Sequence, residues 1–434
     1  MSEPAIVAAT LVPAERDVSG LLTSLIESVI DALGETWRGG AVELEQQATV
    51  ERLIEEHLQR MVQAGNVSAS MQPERLKVLA RSEILGLGAI QKLLEDPQVT
   101  EILVPRYDQI WVRRGAVLEA VEQGISSRRA FRRIIFRLCM KSGRPALSSE
   151  TTLERVLPGI AVFWAVLPPH APGQPSLVLR KSQENSTSLQ SLVRVGVVSR
   201  AMSQFLQQAV TGRGRVLVVG PRDAEIAAVT GALLSTVTDG PLALLEGAAE
   251  LGVASSHGPC FRWSLVGANE PRALVFAAAR ATNTQFGIVL ENAKSTAALL
   301  DVLGGVSVGV VALREARSID VALAQLTAEL MTVYRGLTAN AAHQSIAASF
   351  DLLVEVFRYR DGRQRVIRIA EISKVTADAI EITDVFNFVT SSNTAGDVVE
   401  GTFRSTGVVP KFVDEQLARG TVVDTNVFSR PSAR

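Results

Sequence analysis

Apolar residues recur at two spacings along this chain, and the change from one to the other divides it. From Ser19 to residue 84 the spacing is that of amphipathic helices. Leu22, Leu25, Ile26, Val29, Ile30 and Leu33 make one stripe, with Ser19 as its helix cap. Val50, Leu53, Ile54, Leu58 and Met61 make a second after Gly39-Gly40. A third starts near Pro73 with Leu76, Leu79, Ala80 and Ile84. Residues 1–18 carry no such pattern and are expected to be disordered. From residue 85 short apolar runs take over: "EILV" (101–104), "QIWVRRGAVLEAV" (109–121) around an Arg-Gly turn, "IAVFWAVLPP" (160–169) and "SLVLRK" (176–181). Between them, 126–143 is a basic amphipathic helix with Phe131, Ile134, Ile135 and Leu138 inward and its arginines outward. Residues 85–182 therefore predict an α+β domain, and the polar 183–188 a linker. From 189 to 390, apolar strands at 216–219, 242–245, 273–277, 287–290 and 308–313 alternate with helical patterns. That is the rhythm of a doubly wound, mostly parallel α/β sheet. Residues 391–434 read as a loop-rich tail.

One stretch carries candidate chemistry. "VLVVGPRDAEIAAVTGALL" (216–234) is an apolar strand, a break at Gly220-Pro221 and an apolar helix. It has the frame of a phosphate-binding loop, G-x-x-x-x-G-K-[ST], in which backbone N–H groups cradle phosphates, a lysine neutralises charge and a hydroxyl holds Mg²⁺. Counted from Gly220, the second glycine is Glu225, the lysine is Ile226 and the hydroxyl residue is Ala227. Pro221 removes an amide donor, and Asp223 and Glu225 add negative charge.

Composition narrows the choices. The chain of 434 residues is 47% hydrophobic and 21% charged, with a net charge of −1, so two or three globular domains are expected and a general nucleic-acid binder is not. Two distant cysteines, Cys139 and Cys260, fit a reducing compartment. Four scattered histidines, among them His57 and His343, form no metal-binding pair. The N-terminal stretch has no basic segment followed by a long apolar run, and Val302 to Leu313 is too short to span a bilayer. A cytoplasmic location is expected, with peripheral attachment at the inner membrane through partners.

"GLGAIQKLLEDPQVTEILV" (86–104), "LLEGAAEL" (244–251), "FDLLVEVFRYRDGRQRVIRIAEI" (350–372) and "GTFRSTGVVPKFVDEQLARG" (401–420) together resemble the type II/type IV secretion ATPases, most closely those of tight-adherence (Tad) pili. The resemblance runs in one order over roughly residues 82 to 420. It implies a RecA-like C-terminal domain behind a smaller α+β domain, and cytoplasmic hexamers that hydrolyse ATP beneath an inner-membrane platform. It also implies which residues should do chemistry, and most are replaced. Beyond the phosphate loop, Glu246 and Glu250 stay in the acidic box while Gly247 replaces an aspartate. "PRALVFAAAR" (271–280) matches the second acidic motif, with Ala278 at the water-orienting glutamate and Arg280 retained. "IVLENAKS" (288–295) matches the histidine box, with Asn292 at the histidine. Val156 and Val162 stand where two arginines reach the phosphates, while Arg180 and Lys181 remain.

Phosphoryl transfer is mostly positioning and charge stabilisation and cannot lose all these parts together. The expectation is a pseudo-ATPase with no catalytic residue, no metal and no cofactor. It would serve as scaffold or regulator of an active motor ATPase, in a ring with that ATPase or with itself, and would contact platform proteins but no nucleic acid. The alternative is an ATPase using ATP and Mg²⁺ through relocated residues: Arg180, Lys181, Glu246 and Glu250, with Arg213 or Arg215 near the loop.

Overall fold

The computed structural model describes residues 13–34, 44–67, 73–115, 117–147, 149–157, 159–181, 187–221, 224–238, 240–247, 251–253, 259–266, 270–282, 284–376, 378–391, 399–418, 420 and 423–429. The chain forms two compact units, Met1–Ser182 and Gln183–Arg434. Most of the expected linker, 183–186, lies outside the described residues.

The first unit begins with three helices, α1 (Pro13–Leu33), α2 (Leu44–Gln63) and α3 (Pro73–Leu85). The stripes read from the sequence are their core: Leu25, Ile26, Val29, Val50, Ile54, Leu76 and Ile84 are all buried together. Helix α1 starts at Pro13, so the expected boundary at residue 18 and the cap at Ser19 are both corrected. Proline suits a first helical position, where its fixed φ fits and its missing N–H is not needed. There follow α4 (Ala89–Glu95), β1 (Val99–Arg106), β2 (Gln109–Arg114), β3 (Val117–Val121), α5 (Arg128–Lys141), β4 (Thr152–Leu157), β5 (Ala161–Val166) and β6 (Ser176–Lys181). The six strands form one sheet in the order β3-β2-β1-β6-β5-β4, antiparallel throughout. Helix α5 buries Phe131, Ile134, Ile135 and Leu138 in the core of this domain, as its pattern predicts. Its arginines do not all face outward: Arg137 is 4% exposed.

The second unit contains α6 (Leu189–Arg194), α7 (Arg200–Thr211), β7 (Arg215–Gly220), α8 (Ile226–Leu234), β8 (Leu242–Glu246), β9 (Cys260–Ser264), α9 (Pro271–Thr282), β10 (Gln285–Val289), α10 (Ala293–Leu303), β11 (Gly309–Glu315), α11 (Ile319–Val333), α12 (Ala339–Ser349), β12 (Leu352–Arg358), β13 (Gln364–Val375), β14 (Ile380–Thr390), β15 (Gly401–Ser405) and α13 (Lys411–Ala418). Nine strands make one sheet, β15-β14-β13-β12-β7-β11-β10-β8-β9. From β12 to β9 all neighbours are parallel, and β13 to β15 add an antiparallel flank. Strand β7 alternates between two cores. Val216 and Val218 pack on one face with α7 and α8, and Leu217 and Val219 on the other with α9 to α12. A strand buried on both faces reads as an unbroken apolar run, which is why "VLVV" was legible.

Two elements differ from the sequence reading. Residues 273–277 are not a strand but lie in α9. Val275, Ala278, Ala279 and Thr282 are its buried positions, a helical spacing, and alanine-rich sequence favours a helix. The tail is likewise no appended loop. Strand β15 pairs with β14, α13 buries Phe412 and Val413, and a short 3₁₀ turn at Thr425–Phe428 brings Phe428 to ring-centroid distances of 5.1 Å from Phe205 and 5.8 Å from Phe386. Phe428→Ala is therefore expected to lower the stability of this unit by about 3–5 kcal/mol in denaturant titration. A loss under about 0.5 kcal/mol, the usual surface value, would show the tail to be dispensable.

Candidate functional site

In an open α/β sheet, ligands bind beyond the carboxyl ends of the parallel strands. Here β7 ends at Gly220, beside Glu315 at the end of β11, and β12 runs out beside it into Arg358. Strands β10 and β8 bring Glu291 and Gly247 to the same edge. The frame expected from the sequence is thus present. Arg222 and Asp223 lie outside the described residues.

The described part of the turn combines a left-handed residue with an apolar filling. Glu225, at the second glycine of the signature, has φ 49° and ψ 40°. That is left-handed backbone, which glycine adopts freely and other residues at a cost of roughly 1–2 kcal/mol. Pro221 accepts a bond from the Ala224 N–H at 2.9 Å, and Glu225 from the Ala228 N–H at 2.9 Å. Ile226, at the lysine position, is only 3% exposed and belongs to the core on the α8 side of the sheet. Its Cγ2 closes over Gly220. A Cβ placed on Gly220 would lie 2.5 Å from that methyl and 2.5 Å from the Val356 carbonyl oxygen. Ala227 packs partly buried against the same core. An aliphatic group therefore sits where a lysine would reach toward phosphate.

The charge at the loop differs from the sequence expectation. Glu225 is not an unopposed anion, because Arg358 Nη1 donates to its Oε1 at 3.2 Å. Spacing alone could not place a residue 133 positions away. The acid is held by the β12 end.

The other motif residues separate. Glu246 is 3% exposed, accepts the Leu251 N–H at 2.8 Å and pairs with Arg262. It ties β8 to β9 instead of standing open. Gly247 lies against Glu291, whose Oε1 would be 2.6 Å from a Cβ built there and would have to swing aside for a side chain. Glu250 lies outside the described residues. Ala278 is fully buried on α9, so the assignment of that stretch to an acidic strand at the site is corrected. Arg280, in the last turn of α9 and just before β10 begins, stacks on Phe276 at 5.3 Å near the opposite, amino edge of the sheet. Asn292 caps α10, accepting from the Lys294 and Ser295 N–H groups at 3.1 Å each, and does structural work where the resemblance expects a histidine.

Glu291 was missed. It follows the end of β10, beside β8 and β11, as an exposed carboxylate. An acid that closes an apolar strand was the signal available. Arg213 and Arg215, the alternative cations, are also misplaced. Arg215 starts β7, five residue steps or roughly 16 Å from Gly220, and Arg213 lies in the turn before it. Arg215 donates to the Val306, Val308 and Ala348 carbonyls, and both arginines line a cavity of about 550 Å³ on the amino edge.

In the first unit, Val156 and Val162 are register partners on β4 and β5. Arg155 points to the core face with Leu153 and Leu157, and its Nη2 donates to Glu150 at 2.7 Å. Arg180 lies 5.4 Å from the Trp164 ring and 3.9 Å from Glu101. Lys181 Nζ donates to the Asp96 carbonyl at 2.6 Å. Both retained cations are thus engaged within their own sheet. Among the described residues, no group of three His, Cys, Asp or Glu side chains is arranged for a metal, and no helix is long and apolar enough to cross a membrane.

This geometry defines an α/β domain on a mostly parallel sheet, with a strand, a tight turn and a helix at its carboxyl edge. No protein-family model matches the chain. It is 28% identical over 307 residues to a putative conjugal transfer protein of Mycobacterium tuberculosis, covering 68% of this chain and 86% of that protein. Among solved structures it is similar to the VirB11 ATPase of the Brucella suis type IV secretion system, with a TM-score of 0.36 and 17% identity over 65% of this chain and 92% of that one. It is also similar to the Legionella pneumophila ATPase DotB, with a TM-score of 0.45 and 11% identity over 67% of this chain and 81% of that one.

The loop's construction sets two expectations. Ile226→Ala should cost about 2–5 kcal/mol, as for other buried isoleucines. At position 225, glycine removes strain but loses an exposed ion pair and adds chain entropy, so Glu225→Gly should stay within about 1 kcal/mol of the parent. Glu225→Val, β-branched at positive φ, should lose more than Glu225→Gly in the same denaturation assay. The reverse order would contradict the left-handed assignment.

Proposed function

We propose that this chain is a pseudo-ATPase, a non-catalytic component of a pilus-assembly or secretion machine of the Tad kind. It acts as scaffold or regulator of an active motor ATPase, in a ring with that ATPase or with copies of itself, and meets the platform proteins of the inner membrane. The observation that carries this reading is Ile226, buried over Gly220 where a lysine would hold the phosphates. A cation about 4 Å from a phosphate charge contributes about 4 kcal/mol at an effective dielectric near 20. A helix N-terminus alone contributes a few tenths to about 1 kcal/mol. Among the described residues, what remains at the loop is too weak to hold a triphosphate. Similarity to a putative conjugal transfer protein supports the setting in a transfer machine.

One observation favours a second reading, in which the chain hydrolyses ATP with Mg²⁺ through relocated residues. Glu291 is an exposed carboxylate at the carboxyl edge, where a water-orienting acid would be useful. Against it stands Arg358, the described cation at the end of β12, which is engaged by Glu225.

Equilibrium dialysis with Mg-ATP, phosphate-release assays and co-purification from cells separate the two. The pseudo-ATPase reading expects no saturable nucleotide binding, no phosphate release and capture of a motor ATPase. Turnover that disappears in Glu291→Gln would establish the second reading instead.

A further inference from the structure

The helical segment α1–α3 and the α+β domain that follows it have separate apolar cores with no residue in common. What joins them is polar. From α1, Thr23 Oγ1 donates to the Ser126 carbonyl at 2.8 Å, Glu27 accepts from Ser127 Oγ at 3.1 Å, and Arg129 Nη1 donates to Glu27 at 2.6 Å and Asp31 at 3.1 Å. From α3, the buried Glu83 carboxylate accepts the Ser126 N–H at 3.0 Å and the Ser126 hydroxyl. The Glu83 and Ile84 carbonyls accept from Arg137 at 2.5 and 3.0 Å.

The cations in this junction form a pattern. Arg129, Arg133 and Arg137 recur every fourth residue along α5 and so share one stripe. Arg133 Nη1 and Arg137 Nε are buried with no hydrogen-bond partner among the described residues, and Arg137 is 4% exposed. Burial also pulls Arg137 down to about 10. Facing the stripe are three carboxylates, Glu27, Asp31 and Glu83. A junction of ion pairs between two complete cores is the kind that can open, because neither core loses its own packing and water can replace most of the bonds. Chain freedom is available at the join, where Gly86 and Gly88 separate α3 from α4 and Gly88 has φ 57°.

We propose that the helical segment is a self-docked acidic cap on the α5 arginine stripe, and that undocking hands the stripe to an acidic segment of a protein partner. In the closed state Arg129 holds two carboxylates and Arg137 two backbone carbonyls, so a carboxylate-rich peptide, which offers both kinds of oxygen, is the chemistry the stripe fits. The two orphaned guanidinium nitrogens are bonds that a partner could complete and the cap does not.

The test uses the full chain. Hydrogen exchange over residues 122–130 reports the Ser126 amide, whose acceptor lies across the junction. Binding is read with fluorescein-labelled polyglutamate and, as a control, a single-stranded DNA of equal charge. Glu27→Lys with Asp31→Lys should speed exchange there and tighten polyglutamate binding by about tenfold, the order expected from losing two exposed ion pairs. The strands β1 to β6 should keep their protection. Adding Arg129→Glu should return exchange toward the parent rate, and adding Arg133→Glu to the double-lysine chain should abolish polyglutamate binding. Unchanged exchange in the double-lysine chain would overturn the proposal, and so would loss of protection across the sheet. Fast exchange without polyglutamate binding, or tighter binding of the DNA, would overturn the acidic-protein assignment.

Discussion

Gly220 has no room for a side chain, and what fills the space above it decides what the second unit can do. The Ile226 methyl and the Val356 carbonyl approach it from two sides, so β7, α8 and β12 meet at one apolar point. Ile226 is at once the first residue of α8 and a member of the core beneath it. A lysine at that place would have to leave the core or carry its charge into it, and an unpaired buried charge is far costlier than a buried methyl. The same contact fastens the helix to the sheet, and on the proposed reading it also closes the position where phosphate would be held.

Around this point the molecule keeps shape and reassigns charge. The left-handed turn at Glu225 persists without glycine, and its carboxylate is taken up by Arg358. Glu246 is committed to Arg262 and the Leu251 amide, and Asn292 to the start of α10. Arg314, paired with Val219 across the sheet, is buried against Glu329 and the Leu290 carbonyl and ties β11 to α11. Among the described residues at this edge, Glu225, Glu246, Asn292 and Arg314 are each bonded within the protein, while Glu291 is exposed.

Much of this was legible in the chain. The helical stripes of residues 22–84 are the core of α1 to α3 almost residue for residue, and "VLVV" is the central strand. The misreadings have physical causes. "ALVFA" is an apolar run too short to show its period, and its alanines decide for helix. The edge strand β9, "CFRWS", is largely exposed and so lacks the apolar run of its buried neighbours. The tail reads as loop-rich because its attachments are short: a five-residue strand, the eight-residue α13 and a 3₁₀ turn carrying Phe428. At the site, the loop's spacing was correct, but pairings such as Glu225 with Arg358 and Gly247 with Glu291 join residues far apart in sequence. Misplacing one strand moved a whole motif, so that Ala278 was assigned a role at the edge where Glu291 stands. Arginines every fourth residue on α5 were visible too, yet only the fold shows which of them are covered.

A crystal of this chain soaked with Mg-ATP would test the central claim most directly. The account predicts no triphosphate over residues 220–227 and an Ile226 side chain still packed on Gly220. A triphosphate bound in that loop, with Ile226 displaced from the core, would contradict it.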